Sequence, residues 1–420
     1  MGTIKKNLFL IQIKFFVTVL CFFSTSLLEA QSIETQQKAR KLYERLAGVK
    51  ASLNHPKVQA MAQVYQQSPA QAASIATQDP QFLNITVKQM ALKMSTREES
   101  IAIPFNDFAA SVMGIVRDQT DARQLLTGNF YYMGNPTLLP ASFPTDILQD
   151  VVRTNRHYEA LEDNRTIDVG QTLIRMEGQK LLNPNDDPQT LMNNPDPAGV
   201  LTSRAFMAAH SVAGTNRRPV EYSFRQFMCV KIEEWADTNA SDLRIGRDID
   251  RFPGGDHQKF LSSCMGCHTV MDGFRGAFAY WNFDGQGIIN SQALQPNRAP
   301  KDLVMRKMNQ NSTVFPAGFT MVDNSFVNNA NRGNNNLMFG WRGGESTKGT
   351  GVKDFGKLLS ESKRYSQCLS LRVYESVCKT KVQAIYNMPM LQDFANSLEK
   401  NNYNLKKLFE TVAIDPRCNG

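Results

Sequence analysis

The segment that most constrains this chain is Cys264-Met-Gly-Cys267-His268, in which two residues separate the cysteines and a histidine follows the second. This is the spacing of covalent c-type haem attachment. The two thiols can reach the two vinyl groups of one porphyrin, and the adjacent imidazole then lies beneath the iron as its proximal ligand. We therefore predict one covalent haem c, attached through Cys264 and Cys267 and ligated by His268.

Three other interpretations of this motif compete with haem. A structural zinc site needs further Cys or His pairs at zinc spacing, and the sequence has no second CxxC and no HxxxH. A thioredoxin-like redox pair belongs at a strand-to-helix turn, whereas Cys264 follows a helix-like run from His257 to Ser263. A plain disulfide between Cys264 and Cys267 is the third. The histidine directly after the pair favours haem over all three.

The N-terminus has the pattern of a secretory signal peptide over residues 1–30. Lys5 and Lys6 precede a mostly apolar run, and a small residue, Ala30, stands at the expected cut. A membrane anchor is the alternative, but Lys14 interrupts the apolar run. Because covalent haem is attached outside the cytoplasm, export and haem support each other. We predict a periplasmic protein with no transmembrane anchor after cleavage.

The cysteine count predicts disulfides in the exported chain. Removal of the signal peptide takes Cys21 with it, and the haem motif uses two of the remaining six cysteines. An even remainder in an oxidising compartment predicts up to two disulfides. The spacing leaves all three pairings open among Cys229, Cys368, Cys378 and Cys418.

The charge pattern gives no indication of a nucleic-acid partner. The chain has 47 basic and 39 acidic residues, and removing three lysines and one glutamate with the signal peptide leaves 44 and 38, a net charge of +6. These charges are spread along the chain, without a basic run or interleaved aromatic residues. We expect them to serve solubility and, weakly, attraction to acidic partners.

Apolar residues recur mostly at helical spacing, which predicts a mainly α fold with helical layers around a single haem site and long irregular loops. Leu42 and Leu46 show this spacing near the start, and Leu405, Leu408 and Phe409 show it near the end. The predicted divisions are an N-terminal helical region at 31–100, a helical domain at 101–195, a cytochrome c-like haem domain at 196–345 and a C-terminal helical domain at 346–420.

Aromatic and Asn-rich segments flank these helices. The cluster Phe130 to Tyr132 is expected to pack in the core, with stacking on a cofactor as the alternative. The aromatic run from Met271 to Gly285 is expected to line the haem. The segment from Met308 to Arg342 is dense in Asn and Gly, which predicts a long loop within the haem domain.

The sequence does not identify the second axial ligand of the iron. Met321 is one candidate, because it lies in a loop-like context after the motif and a thioether is the usual sixth ligand of electron-transfer cytochromes. His210 is the rival and would give a lower potential. Another methionine, or an open site, completes the alternatives.

Several segments together resemble the secreted c-type cytochromes of the planctomycete-cytochrome group, which carry a single CxxCH. The matching stretches are Asp121 to Tyr131, Gly199 to Thr202 with Ala209-His210-Ser211, Cys264 to Asp272 with Phe283-Asp-Gly, and the spacing of Cys368, Arg372 and Cys378. The resemblance spans most of residues 100–415. It implies haem binding at Cys264, Cys267 and His268, but no particular activity, because the group's domains have none established.

Electron transfer by a periplasmic monohaem cytochrome is the favoured function, with an unidentified redox partner protein. A cell-envelope interaction protein with structural haem and a peroxidase-like haem enzyme are the alternatives. A two-haem peroxidase would need a second CxxCH, which the sequence lacks. GxSxG, P-loop and HExxH motifs are also lacking, so no other catalytic centre is indicated.

Overall fold

The computed structural model describes residues 32–144, 146–147, 150–186, 190–283, 285, 287–290, 307–310, 314–342, 347–382 and 389–418. The predicted signal peptide at 1–30 and its cut after Ala30 lie outside the described residues. Helices account for 55% of the described chain and strands for 9%, so the prediction of a mainly α fold is confirmed.

The N-terminal region is helical, as its periodicity predicts. Leu42 and Leu46 are buried on the inner face of the first helix. The side chain of Ser68 caps the third helix by accepting a hydrogen bond from the Gln71 amide. The elements here are α1 (32–47), α2 (Pro56–Tyr65), α3 (Pro69–Ala76), and a π-helical turn (Phe82–Val87) that continues into α4 (Lys88–Ser95).

The central helix α5 (Asp107–Asp118) is buried from Asp107 through Val116. Asn106 caps its N-terminus through the Ala109 amide, and Gln119 ends it in the left-handed conformation. Helices on several sides cover it, which explains why its sequence is apolar on nearly every face. The elements that follow are α6 (Gln124–Thr127), α7 (Arg156–Asp163), α8 (Val169–Thr172), a 3₁₀ turn (Gly199–Thr202), α9 (Arg204–His210) and α10 (Arg217–Phe227).

In the described part of the chain, three small sheets interrupt the helices, and the helical periodicity did not predict them. The aromatic cluster Phe130 to Tyr132 lies in the first strand, where Phe130 and Tyr132 are buried, so the expectation of core packing is confirmed. Two of the sheets have two strands each: β1 (Phe130–Gly134) with β2 (Leu173–Glu177), and β7 (Ser325–Val327) with β8 (Lys348–Thr350). The other has four strands, in the order β4 (Leu191–Asn193), β3 (Lys180–Leu182), β6 (Ile288–Asn290) and β5 (Trp281–Phe283).

The Asn-rich segment is a loop for most of its described length, but it contains β7 and a helix, α13 (Gly333–Phe339). The loop prediction missed this helix because its anchors are contacts with residues far away in the sequence. The buried Asn335 side chain donates a hydrogen bond to the carbonyl of Trp235. Phe339 is fully buried, with its ring 5.2 Å from that of Phe224 in α10. Contacts with residues distant in the sequence therefore order a stretch whose composition alone disfavours regular structure.

The C-terminal part consists of helices, as predicted. Leu405, Leu408, Phe409 and Val412 are all buried on one face of the last helix. The elements are α14 (Gly351–Ser360), α15 (Lys363–Cys378), α16 (Pro389–Lys400) and α17 (Leu405–Ile414). One contiguous hydrophobic cluster extends from Ala39 to Cys418 and takes in each of the four predicted divisions after residue 31.

One disulfide joins this C-terminal part to the preceding part of the chain, and a second lies within the C-terminal part. Cys229 pairs with Cys368, which links the end of α10 to α15, and Cys378 pairs with Cys418. The prediction that these four cysteines are oxidised is confirmed, and the structure selects one of the three pairings. Disulfides of this kind are typical of proteins outside the cytoplasm. None of the described helices combines the length and apolar character needed to cross a bilayer.

Candidate functional site

The CxxCH motif lies at a junction between helical segments. Asp256 caps the short helix α11 (His257–Lys259), and the backbone then widens into a π-helical turn (Phe260–Cys264) before α12 (Met265–Phe274) begins. Phe260 is the buried residue of this turn and anchors it to the protein interior. The predicted helix-like run before Cys264 is therefore confirmed, and the motif stands on helical backbone.

Cys264, Cys267 and His268 share one side of this helix. Their spacing of i, i+3 and i+4 places side chains on the same helical face. All three are partly exposed, whereas Gly266 and Thr269 on the other side are buried. Two thiols and one imidazole therefore open toward the same surface.

Both motif thiols are free, although the other four cysteines described are all in disulfides. The Cys267 thiol lies 3.8 Å from the carbonyl oxygen of Ile232. Burial, with the nearby Glu233 and Cys264, raises the pKa of the Cys267 thiol. Cys267 therefore remains a neutral thiol at pH 7, and the structure does not have the disulfide between Cys264 and Cys267 that was one alternative.

The His268 imidazole contacts a buried carboxylate one helical turn further on. Its Nδ1 lies 3.4 Å from Oδ1 of Asp272, whose side chain is fully buried, while His268 itself is 21% exposed. No hydrogen bond to the other ring nitrogen, Nε2, is found among the described residues. An imidazole held at Nδ1 by a carboxylate, with Nε2 left available, is the usual arrangement of a metal-ligating histidine.

Asp272 belongs to a buried cluster of two acids and two arginines. Arg217 of α10 donates to both oxygens of Asp272, at 2.5 and 2.8 Å, and also donates to Asp248. Arg275 is fully buried beside them, with Nη1 3.7 Å from Oδ1 of Asp248. Burial alone would raise the pKa of Asp272, but the charges of Arg275 and Arg217 hold it well below its usual range.

Arg275 is the least satisfied member of this cluster. None of its three guanidinium nitrogens makes a hydrogen bond to the described part of the chain. Burial lowers its pKa despite the two neighbouring carboxylates. Its charge is therefore balanced by proximity to Asp248 and Asp272 and not by hydrogen bonding.

The aromatic run after the motif packs into the core. Phe274 contacts Phe224, Phe326 and Phe355, with ring centroids 5.3 to 5.9 Å apart. Trp281 and Phe283 are also buried. This cluster fixes α12 against α10 and α14. Its expected role in lining a haem stays a prediction, and Asp284 lies outside the described residues.

The two named candidates for the second axial ligand have different neighbours. Met321 is buried with Ala279 and Met308, and its sulfur would lie 3.3 Å from a Cβ atom added to Gly276, eight residues beyond His268. His210 is buried between the rings of Phe206 and Tyr222. Neither contacts His268 among the described residues, so the identity of this ligand stays a prediction.

A polar cavity of about 740 Å³ lies beside α12, lined by the 234–241 and 327–335 segments. It approaches the helix at two points. The Asp237 amide donates to the carbonyl of Gly266, and the Asn329 side chain donates to the carbonyl of Thr269. The lining does not include Cys264, Cys267 or His268.

Comparisons with protein-family models, with curated proteins and with solved structures each found no match. The resemblance to the planctomycete-cytochrome group therefore stays a prediction.

The donor set fits a covalently attached c-type haem. Two free, accessible thiols stand at the attachment spacing on the same face as an imidazole whose Nε2 is available. Among the described residues, no group of three or more His, Cys, Asp or Glu side chains has the arrangement of a metal-ion site.

The charged cluster that contacts His268 through Asp272 was not predicted from the sequence. Asp272 could have been found, because it stands four residues after His268 and a helix brings such residues together. Arg217 and Asp248 gave no comparable indication, since they lie 55 and 24 residues before Asp272. Arg217 reaches both carboxylates only through tertiary packing.

Proposed function

We propose that this protein is an exported monohaem c-type cytochrome that transfers electrons. The observation that supports this most directly is the shared helical face of Cys264, Cys267 and His268, on which both thiols are free while the other four described cysteines are disulfide-bonded. Structural cysteines in an oxidising compartment pair. Two cysteines that stay reduced next to a histidine therefore favour a role in cofactor attachment.

The residues of the site have distinct roles in this proposal. Cys264 and Cys267 would hold the porphyrin covalently, each through one thioether bond. His268 would hold the iron through Nε2, while Asp272 contacts Nδ1 on the opposite side of the ring. The bound haem would supply a reversible one-electron couple, and a separate redox protein would exchange electrons with it.

The periplasm is the proposed compartment. The basic and apolar N-terminus predicts export, and the two disulfides agree with an oxidising environment. Both thiols of the motif must be kept reduced there until haem is attached. Their separation from the other four cysteines, which pair with one another, removes competing partners.

Expression with a periplasmic haem-attachment system tests the proposal. The purified chain should gain the mass of one haem, and this haem should survive denaturation and acid-acetone extraction. The variant Cys264→Ala/Cys267→Ala should lose it. The matched control Cys378→Ala/Cys418→Ala removes the same number of thiols elsewhere and should keep it. Covalent haem in the first variant, or none in the wild type, would overturn the assignment.

The visible spectrum of the same protein separates electron transfer from haem enzymology. An electron carrier should be low-spin in both redox states and should titrate reversibly as a one-electron couple. A high-spin ferric spectrum would indicate an open coordination site and would favour a peroxidase-like enzyme instead.

A further inference from the structure

The contact between His268 and Asp272 has a consequence beyond attachment. We propose that Asp272 is a positioning residue that fixes the tautomer of His268 and, through its negative charge, lowers the reduction potential of the haem. This inference rests on the proposed haem function. It concerns which redox partners the protein can serve, because the potential decides the direction of electron flow.

The tautomer follows from the chemistry of the two groups. An ionised carboxylate can only accept hydrogen bonds, so Nδ1 of His268 must carry the proton that faces Oδ1 of Asp272. The lone pair of the neutral ring is then on Nε2, which is the atom that a metal requires. Hydrogen bonding to a carboxylate also increases the basicity of that lone pair.

Asp272 is held so that it cannot turn away from His268. Oδ1 accepts from Arg217 Nε as well as from His268, and Oδ2 accepts from Arg217 Nη2 and from the Gly246 amide. A carboxylate offers about four acceptor positions. All of them are therefore occupied, and three of the four donors belong to elements outside the motif helix.

The charges around Asp272 make the proposed effect separable from simple structural support. A negative charge near the iron favours the ferric form, whereas a positive charge favours the ferrous form. Arg217 and Arg275 oppose Asp272, and Asp248 completes a neutral set of four. Loss of the acid and loss of an arginine should therefore shift the potential in opposite directions.

The first experiment does not depend on haem. Nitrogen-15 NMR of the full-length Cys264→Ala/Cys267→Ala chain at neutral pH should show His268 protonated at Nδ1. Adding Asp272→Asn should shift the ring toward the Nε2-protonated tautomer. The matched control Asp248→Asn removes the same charge from the same cluster without a contact to His268, and it should leave the tautomer unchanged. A ring protonated at Nε2 before any change at Asp272 would overturn the proposal.

The second experiment measures the midpoint potential of the haem-loaded protein. Asp272→Asn should increase the ferrous-to-ferric ratio at a fixed potential at least tenfold, a rise of about 59 mV for a one-electron couple. Arg217→Gln should lower the potential, and Asp248→Asn should change it less than Asp272→Asn does. Equal shifts in one direction for Asp272→Asn and Arg217→Gln would mean general loosening of the site and would overturn the proposal.

Thermal unfolding and disulfide content show whether each variant is folded. If Asp272→Asn does not fold, two measurements still test the proposal. They are the tautomer of His268 in the chain that keeps Asp272 and the midpoint potential of Arg217→Gln. Absence of covalent haem would refute the proposed function without affecting the tautomer measurement, so the two failures are distinguishable.

Discussion

Arg217 and Asp272 form an ion pair with two hydrogen bonds that joins α10 to the motif helix α12. Arg217 Nε donates to Oδ1 over 2.5 Å and Nη2 to Oδ2 over 2.8 Å, with the Asp272 side chain fully buried and that of Arg217 only 16% exposed. The planar fork of a guanidinium matches a carboxylate in this way. The pair thus sets the position of the helix on which the thiols and His268 lie.

Removal of one partner of this pair should be strongly destabilising. Asp272→Ala leaves Arg217 facing only Asp248 and leaves Arg275 with one carboxylate instead of two, so we expect a loss of about 3–5 kcal/mol in the free energy of unfolding. Denaturant titration measures it. The double variant Arg217→Met/Asp272→Ala should lose less unfolding free energy than the sum of the losses in the two single variants. Each single change leaves one charge of the pair without its partner, whereas the double change removes both charges. Additive costs would contradict coupling between the two groups.

The disulfide pairing is directly testable. Non-reducing peptide mapping should recover Cys229 with Cys368 and Cys378 with Cys418. The chain-entropy relation gives about 5 kcal/mol of stabilisation for the first pair and about 4 kcal/mol for the second, because they close loops that span 139 and 40 residues. Cys229→Ala/Cys368→Ala should therefore lower the unfolding free energy more than Cys378→Ala/Cys418→Ala. Any other connectivity in the peptide map would refute the pairing.

The second axial ligand can be assigned by substitution in the haem-loaded protein. If Met321 ligates the iron, Met321→Ala should abolish the charge-transfer absorption band that marks Met–iron coordination in the oxidised state. Met308→Ala is the matched control, because Met308 is buried in the same small cluster. A band lost only in Met308→Ala would move the assignment to that residue.

His210 predicts a different spectrum. Burial lowers the pKa of His210 to about 3, helped by Arg218 and Arg97, so its ring is neutral at pH 7 and chemically able to ligate iron. Ligation by His210 would give a low-spin spectrum without the Met band, and His210→Ala would convert it to high-spin. A high-spin ferric spectrum of the wild-type protein would exclude both Met321 and His210 as the second axial ligand.

Stability should fall on acidification because of a second buried histidine. Burial lowers the pKa of His157 to about 4, and its Nε2 accepts a hydrogen bond from the Gly134 amide, which a protonated ring could not do. In the unfolded chain a histidine has a pKa near 6.5, so between about pH 6.5 and pH 4 the unfolded state binds more protons. Stability is then full above this window and is lost as the pH falls through it.

The contribution of His157 between pH 7 and pH 5 is about 2 kcal/mol. His157→Gln keeps a side-chain acceptor for Gly134 but cannot take up the proton. It should flatten the pH dependence of the unfolding free energy by that amount over this interval. An unchanged slope in the variant would show that other groups cause the acid sensitivity.

The predictions that succeeded from sequence concern local patterns. Leu405, Leu408 and Phe409 are buried on one helical face, and the run from His257 to Ser263 is helical, because such features depend on residues a few positions apart. The small sheets and helix α13 were missed for the opposite reason. Strands of three residues and a helix anchored by Asn335 and Phe339 gain their stability from distant partners.

The sequence by itself determined that two cysteines and a histidine would share one side of a helix, since their spacing and the helical backbone suffice for that. It also determined that four further cysteines would be available to pair. Only the tertiary structure decided that Cys229 meets Cys368, and that Asp272 beneath His268 is held by Arg217. These contacts join residues 139 and 55 positions apart, and such pairs form only when whole helices have packed.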